Sequence, residues 1–378
     1  MSWENKKFID FILLQRGHDL TKEQITPGIY PVVTSTSIMG YHNAFKAEGP
    51  GVVTGRSGTI GEVQYVEENY WPHNTSLYVK DFKGNNPRFV YYFMKNFGTD
   101  RAKSGSAVPT LNRNNLSGID VSIPDIETQQ RIVDILSAYD NLIENNQKQI
   151  KLLEETAQRL YKEWFVNLRY PGYENTPIVD GVPEGWKKNR ADSFFNITIG
   201  KTPPRAEKQW FTSGDKGVPW LSISDMGNAG VFAFVTSEGL TEEAIKKHNM
   251  KVVPAGTIFV SFKLTVGRVA IANTPMCTNE AIAHFYIKDS LFQAYAYSYL
   301  RNFEYDTLGN TSSISKAVNS KIIKAMPFVM PTNDIVASFS LLVAPILNEI
   351  HNRQATCLKL QEARDRLLPK LISGEIEV

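Results

Sequence analysis

The sequence predicts a mixed α/β protein built from two copies of one unit, each a globular sheet domain followed by a long helix. Two observations predict it. Pro124 and Pro331 are 207 residues apart, and so are Leu153 and Leu360, so the sequence repeats without a gap over its helical parts. Short β-like runs bounded by turn residues precede each repeated segment. We therefore expect two twisted, mostly antiparallel sheets with helices, joined by two long antiparallel coiled-coil helices with internal pseudo-two-fold symmetry.

The globular parts repeat at a different offset. Trp3 and Gly17 recur as Trp186 and Gly200, 183 residues later, so the second copy is 24 residues longer before its proline. An aromatic-rich helix follows the strands in each copy, then a loop rich in serine, threonine and asparagine. The predicted strands are 28–34, 51–54, 60–66 and 76–79 in the first copy, and 218–222, 257–262, 266–272 and 281–287 in the second.

Each long helix carries a heptad of apolar residues, the pattern of a coiled-coil seam. The seam has a polar position at Asn146, matched by Arg353 in the second helix, where Arg364 is also polar. Pro345 is expected to kink the second helix or delay its start. The predicted helix-packing residues are Ile132, Leu136, Tyr139, Ile143, Ile150, Leu153, Leu160, Trp164, Phe339, Val343, Ile346, Ile350, Leu360, Leu367 and Leu371.

About forty helical residues span about 60 Å. Antiparallel pairing would cover both seams and place the globular domains at opposite ends of a rod; the alternative is that each helix packs on its own domain. Proline and glycine residues between 170 and 186 mark a domain boundary. The predicted segments are a first domain (1–124), a central helix (125–166), a linker with the second domain (167–330) and a C-terminal helix (331–378).

Composition narrows the class of protein. The chain has 378 residues and a net charge of +2, which allows nucleic-acid binding only if positive charge gathers on one face. The two cysteines, Cys277 and Cys357, fit no metal or disulfide spacing, which indicates a reducing cytoplasm. We find no signal sequence and expect no membrane-spanning stretch.

Catalytic motifs are not evident. The run Gly55–Gly61 lacks the Lys-Ser/Thr ending of a phosphate-binding loop, and none of the six histidines has metal-ligand spacing. The sequence thus predicts no catalytic residue, no metal site and no cofactor. Two alternatives stay open: an enzyme that modifies or cleaves DNA by itself, and a bivalent scaffold that binds only proteins.

Residues that can read base edges and phosphates cluster in the predicted loops. Positions that correspond in the two copies carry different side chains. Arg56 has Lys263 as its approximate counterpart, and Arg16 lies beside the position matched by Ile199. The first domain offers Arg16, His18, Arg56, Ser57, Lys103, Ser104, Ser106, Thr110, Asn112 and Arg113, and the second offers Lys201, Thr202, Arg205, Lys263, Asn310, Thr311, Ser313 and Lys316.

Four strings together resemble the specificity subunits of type I restriction–modification systems: SAVPTLN at 106–112, LYKEWF at 160–165, YPGYE at 170–174 and PEGW at 183–186. The resemblance covers the whole chain, and the proline-plus-helix block is its most specific part. The second domain departs from the pattern with SSIS at 312–315, and Pro345 interrupts the second helix.

The resemblance implies a function for each part. Two target-recognition domains would each read one half of a bipartite site on double-stranded DNA, and the long helices would set the spacing and dock other subunits. Those partners would be two modification subunits per copy, which methylate adenine with S-adenosylmethionine, and restriction subunits that use ATP and Mg²⁺. This chain would itself be non-catalytic.

Overall fold

A computed structural model describes residues 2–56, 62–97, 113–308 and 318–378. The chain forms two compact units, each made of one globular domain and parts of both long helices. Unit 1 comprises Met1–Glu144 and Lys359–Val378, and unit 2 comprises Asn145–Leu358. The boundaries between the two units fall within the long helices, whereas the segments predicted from the sequence treat each long helix as one piece.

The described residues of unit 1 form three sheets. A four-stranded antiparallel sheet has the order β2-β8-β5-β6, a three-stranded sheet has the order β4-β3-β7, and β1 pairs with β9. Three short or medium helices accompany them: α1 (Phe8–Phe11), α2 (Pro87–Asn96) and α3 (Arg113–Ser117). The strands are β1 (Trp3–Lys7), β2 (Leu13–Arg16), β3 (Pro27–Val33), β4 (Ile38–His42), β5 (Gly51–Gly55), β6 (Val63–Val66), β7 (Trp71–Pro72), β8 (Ser76–Asp81) and β9 (Asp120–Pro124).

Unit 2 repeats this plan with additions, in strands β10 to β22. The strands are β10 (Ile178–Val179), β11 (Val182–Pro183), β12 (Lys187–Arg190), β13 (Asn196–Ile199), β14 (Phe211–Ser213), β15 (Val218–Leu221), β16 (Phe232–Ala233), β17 (Glu238–Leu240), β18 (Ile258–Ser261), β19 (Val269–Ala272), β20 (Cys277–Thr278), β21 (Ile282–Tyr286) and β22 (Pro327–Met330). The main sheet has the order β13-β21-β18-β19-β16, a second has β14-β17-β15-β20, β12 pairs with β22, and β10 pairs with β11.

The duplication is visible strand by strand. The order β2-β8-β5-β6 of unit 1 recurs in unit 2 as β13-β21-β18-β19. Glu4 pairs with Ile123 across β1 and β9, and their counterparts Lys187 and Met330 pair across β12 and β22. The prediction of two mixed sheet-and-helix domains from one repeated unit is confirmed. The predicted strands also overlap observed ones, whereas β1 and β9 are not among them, because β1 is mostly polar and exposed and the alternation of polar and apolar residues in β9 is short.

The 24 additional residues of unit 2 enter at four points. The offset between equivalent residues of the two units is 183 at Gly17. It is 188 at Val32, because Val32 pairs with the first residue of β7 and Trp220 pairs with the first residue of β20. It reaches 206 at Val63, which matches Val269, and 207 at the start of α3. Five residues therefore lie before β15 and eighteen after it. β17 pairs with β15 as β4 pairs with β3, so Glu238 matches Gly40 at an offset of 198 and the eighteen residues divide into ten before β17 and eight after it. Helices α5 (Ile223–Asn228) and α6 (Glu242–His248) lie on either side of β17.

The remaining helices complete the repeat. They are α7 (Gln293–Asn302), α8 (Ser320–Lys324) and the two long helices α4 (Ile126–Tyr161) and α9 (Asn333–Ser373). α4 is continued by a π-helical turn at Lys162–Val166. α9 begins twelve residues before Pro345 and continues through it, so this proline does not delay the start; of the two expected effects, the kink stays a prediction. Pro345 is exposed, and so is Leu341, whose carbonyl would accept a hydrogen bond from the N–H that proline lacks.

The two long helices pack antiparallel within each unit. In unit 1, Ile132 and Leu136 near the start of α4 share a core with Leu371 near the end of α9. In unit 2 the rings of Trp164, just after α4, and Phe339, early in α9, lie 5.8 Å apart. Of the predicted packing residues, Ile132, Leu136, Ile143, Trp164, Phe339, Val343, Ile350 and Leu371 are buried, and Tyr139, Ile150, Leu153, Leu160, Ile346, Leu360 and Leu367 are half-buried.

The polar seam positions have specific partners. In unit 2, Arg353 Nη1 donates to Oδ1 of Asn146, its own repeat counterpart, over 3.1 Å. In unit 1, Arg364 Nη1 donates to Asp140 Oδ1 over 2.7 Å, and the Tyr92 hydroxyl donates to the other carboxylate oxygen over 2.5 Å. Both side chains of the Arg364–Asp140 pair are largely buried, so removing either one would leave the other as a buried charge without its partner.

Among the described residues, α9 is the one helix whose length and composition would allow it to cross a membrane, with a mean hydropathy of 1.3 over 18 residues. The expectation that no stretch is long and apolar enough to span a membrane was therefore wrong for this helix, by length and composition. Core helices have the same composition, and Val336, Phe339 and Val343 of this helix are buried in the core of unit 2.

Candidate nucleic-acid interface

One edge of the main sheet in each unit carries most of the described candidate residues, and we call it the loop edge. In unit 1, β2 ends, β5 ends and β8 begins at this edge, because Arg16 pairs with Leu77 and Gly55 with Ser76. In unit 2 the same edge lies where Ile199 precedes Gly200 and β21 begins. The loops of this edge are 17–21 and 73–75, with residue 56, in unit 1, and 200–205, 262–268 and 279–281 in unit 2.

Glycine is required where the first loop of each edge leaves its strand. A Cβ on Gly17 would overlap the carbonyl oxygen of His73, and one on Gly200 would overlap that of Asn279. The next residue is held by matched backbone bonds: His18 N donates to Pro72 O over 2.7 Å, and Lys201 N donates to Thr278 O over 2.9 Å. Because each first loop lies directly against the second loop of its edge, the backbone positions of His18 and Lys201 are fixed.

The unit 1 loop edge combines cations with aromatic support. The exposed Arg16 guanidinium lies 3.2 Å from Asp19 Oδ1. The half-buried His18 ring packs edge-on against Trp71 at 6.2 Å, and the Lys46 ammonium lies 5.2 Å from the Trp71 ring centroid. Burial and then the Lys46 charge lower the pKa of His18, against the opposing effect of Asp19. His18 is therefore mostly neutral near pH 7 and can donate or accept a hydrogen bond.

Asp19 ties the first loop to the second. Its Oδ1 accepts a short hydrogen bond from Asn74 Nδ2. This bond and the charge of Arg16 lower the pKa of Asp19, outweighing its small desolvation. Arg56, in the third loop, is half-buried, and its backbone N donates to Thr75 O over 3.0 Å. The structure thus brings Arg16, His18 and Arg56 to one edge.

The unit 2 loop edge gathers its cations around other partners. Lys201 Nζ donates to the His248 carbonyl over 2.8 Å. The Arg205 guanidinium binds both carboxylate oxygens of Glu238, at 2.9 and 2.7 Å, and lies 4.6 Å from the Trp220 ring centroid. The Lys263 ammonium is exposed and lies 5.6 Å from the Phe262 ring centroid. The edge is therefore cationic, but Arg205 is already held in place by Glu238.

Glu280 lies among these cations. Its Oε2 accepts a short hydrogen bond from Thr202 Oγ1. Partial burial of Glu280 opposes its ionisation, but the Thr202 bond, its own backbone and the nearby charges of Lys263 and Arg205 together lower its pKa. The structure thus brings Lys201, Thr202, Arg205 and Lys263 to one edge.

The remaining candidate residues lie in other parts of the chain. Ser57, Lys103, Ser104, Ser106, Thr110, Asn112, Asn310, Thr311, Ser313 and Lys316 lie outside the described residues, as does the side chain of Arg113.

One pairing drawn from the sequence needs correction. Phe262 N donates to Ala281 O over 2.9 Å, as Arg56 N does to Thr75 O, so the counterpart of Arg56 is Phe262 rather than Lys263. Asp19, Asn74 and Glu280 are not among the residues predicted from the sequence, because cations and small polar residues near glycine are the side chains first expected at DNA. The repeat offsets were the available signal, since they carry Asp19 to Thr202 and Asn74 to Glu280.

Across the described residues, no group of three or more histidine, cysteine or acidic side chains could hold a metal ion. The loop edges offer hydrogen-bond donors, acceptors and positive charge, an arrangement that suits binding of a polyanion with readable base edges.

Comparison with known proteins agrees with this geometry. The sequence profile of the type I restriction modification DNA specificity domain matches residues 2–155 and 183–339, one match per repeat. The specificity subunit of the type I restriction enzyme HindI from Haemophilus influenzae is 27% identical over 343 residues, covering 73% of this chain and 72% of that protein. The MjaIX specificity subunit from Methanocaldococcus jannaschii is 27% identical over 308 residues, covering 77% and 69%.

A solved structure shares the fold. The type I restriction–modification S subunit from M. genitalium superposes with a TM-score of 0.62 at 14% identity, covering 98% of this chain and 96% of that one. The profile matches well over half of the chain, in two copies that coincide with the structural repeat. The chain therefore belongs to the DNA specificity subunits of type I restriction–modification systems.

Proposed function

We propose that this chain reads a bipartite site on double-stranded DNA, with each loop edge reading one half. The observation that carries the proposal is that the two edges share one backbone scaffold but differ in side chains at equivalent positions, as two readers of different sequences require. The equivalent pairs are Arg16 and Ile199, His18 and Lys201, Asp19 and Thr202, and Asn74 and Glu280.

The long helices set the distance between the two half-sites in this proposal. Half-sites read from one face of a duplex lie about one helical turn, or about 34 Å, apart. The helices α4 and α9 each contribute to the cores of both units, which supports their role as a spacer. They also dock the other subunits of the complex.

Catalysis belongs to those partners. In this proposal two modification subunits per copy bring S-adenosylmethionine for adenine methylation, and restriction subunits bring ATP and Mg²⁺, all in the cytoplasm. Membership in the specificity family supports the assignment, as does a sequence with no catalytic motif.

Exchange of residues 1–124 tests the proposal. Replacing this segment with the corresponding domain of another specificity subunit should change one half of the methylated motif in the host genome and leave the other half and the spacer intact. The motif is measured by single-molecule sequencing of modified adenine. A change in both halves would refute independent reading by the two units.

The exchanged chain also provides its own control. Because α4 and α9 are untouched, both the native and the exchanged chain, pulled down from the host, should carry two methyltransferase-like chains per copy. The native chain alone, incubated with DNA, Mg²⁺ and S-adenosylmethionine, should show no turnover. Methylation or cleavage by the isolated chain would instead favour a stand-alone enzyme.

A further inference from the structure

One side-chain bridge recurs at equivalent positions of the two loop edges, with its chemistry reversed. In unit 1 the carboxylate of Asp19, on the first loop, accepts from the amide of Asn74 on the second. In unit 2 the hydroxyl of Thr202, on the first loop, donates to the carboxylate of Glu280 on the second. The repeat has kept one bridge and one carboxylate at each edge, while the carboxylate has moved to the opposite loop.

Both carboxylates are accessible and have at least one cation close by, which for Asp19 is Arg16. The Asp19 side chain is 76% exposed, and its hydrogen bonds with described residues use Oδ1, so Oδ2 is available to a ligand. Glu280 is also exposed, with Lys263 and Arg205 close enough to act on its charge. Each carboxylate is thus ionised and oriented by its bridge before any ligand arrives.

A carboxylate is costly on a surface that binds DNA, because phosphates repel it at any sequence. It is useful where it accepts a hydrogen bond from a base. In the major groove the amino groups N4 of cytosine and N6 of adenine are the donors, whereas guanine and thymine present acceptors to a carboxylate, which is unfavourable. A fixed carboxylate at the centre of a cationic edge therefore favours certain bases and rejects others.

We propose that Asp19 and Glu280 are specificity-determining residues, each accepting a hydrogen bond from a base amino group in the half-site that its own unit reads. This inference rests on the proposed function. The surrounding cations hold the phosphate backbone, and the bridge to Asn74 or Thr202 fixes the direction from which the carboxylate approaches the base.

The test uses the isosteric variants Asp19→Asn and Glu280→Gln. The amide oxygen in each variant can still accept from Asn74 or Thr202, so the bridge and the fold are kept and only the charge is lost. Asp10→Asn and Asp192→Asn remove one carboxylate from the opposite ends of β2 and β13 and serve as matched controls. The probe is a pool of randomised duplexes, offered to the full chain together with the subunits that co-purify from its host, and the bound fraction is sequenced.

We expect Asp19→Asn to reduce the preference at one base pair of one half-site by about tenfold, and Glu280→Gln to do the same in the other half-site. Total duplex binding should stay equal or increase, because a repulsive charge is gone. The two controls should leave the whole motif unchanged.

The outcomes separate this inference from the proposed function. A wild-type motif that is unaltered in both variants, with their melting temperatures also unaltered, would overturn the inference and leave sequence reading intact, because the bridges would then only hold loops. A wild-type complex that enriches no sequence would overturn both. Changes from both variants in the same half-site would contradict one reader per unit.

Discussion

At the scale of single residues, the interior of each unit depends on a few buried polar groups. Asp140 accepts from Arg364 and from Tyr92, and burial together with Asp140 raises the pKa of the Tyr92 hydroxyl. In unit 2, His284 accepts from or donates to Thr198 over 3.0 Å and Thr278 over 2.7 Å, which links three strands. Such groups stabilise only while their partners are present.

Loss of Asp140 should be costly. Asp140→Ala leaves the Arg364 charge without its buried partner, so we expect the free energy of unfolding to fall by about 3 kcal/mol or more, measured by urea unfolding. The repeat supplies a matched repair: the counterparts of Asp140 and Arg364 are Leu347 and Ala157, two buried residues that line one small cavity. The double variant Asp140→Leu with Arg364→Ala should recover much of the loss. A double variant as unstable as Asp140→Ala would argue against the ion pair as the cause.

His284 should make the protein sensitive to acid. Burial, and then the charge of Lys251, lower its pKa to about 4, below the usual 6.5. The unfolded chain therefore binds more protons than the folded one between these values, so the free energy of unfolding should fall by about 3 kcal/mol as pH drops from 6.5 to 4. His284→Gln should flatten this dependence, and His351→Gln should not. An unchanged pH profile in His284→Gln would show that other groups dominate.

At the scale of elements, the sequence predicted what periodicity and the repeat could reveal. The heptad positions of α4 and α9 are buried or half-buried, and predicted strands overlap β3, β5, β6 and β8. The pairing of β1 with β9 could not be predicted from the sequence, because the residues of β1 are mostly exposed and polar. The loop bridges were also out of reach, since a hydrogen bond between positions 55 residues apart leaves no local pattern.

The spacer role of the helices can be tested at this scale. Inserting one heptad into α4 and one at the equivalent point of α9 adds about 10 Å of helix, the rise of about three base pairs. The methylated motif should keep both half-sites and gain a longer unread spacer, measured by sequencing of modified adenine. Insertion into α4 alone, the control, should disrupt helix pairing and methylation. A double insertion that methylates with the original spacer would end the idea of a helical ruler.

At the scale of the whole molecule, the repeat was the most informative signal. It predicted two domains on one scaffold, and its offsets of 183 and 207 are reproduced by the pairing of β1 with β9 and of β12 with β22. The sequence did not show where the additional residues of the second copy enter, because insertions within loops leave scaffold positions unchanged. For that reason Arg56 was matched to Lys263 instead of Phe262.

The strand pair β1–β9 has a consequence for how such a chain can change over generations. Trp3 lies opposite Pro124, so the chain enters and leaves the first globular domain at neighbouring points, and Lys187 opposite Met330 does the same for the second. A genetic crossover at the two ends of such a pair replaces a complete reading domain as a cassette, without altering either long helix. Under the proposed function, a new DNA specificity can therefore arise by recombination in one step, with both long helices unchanged.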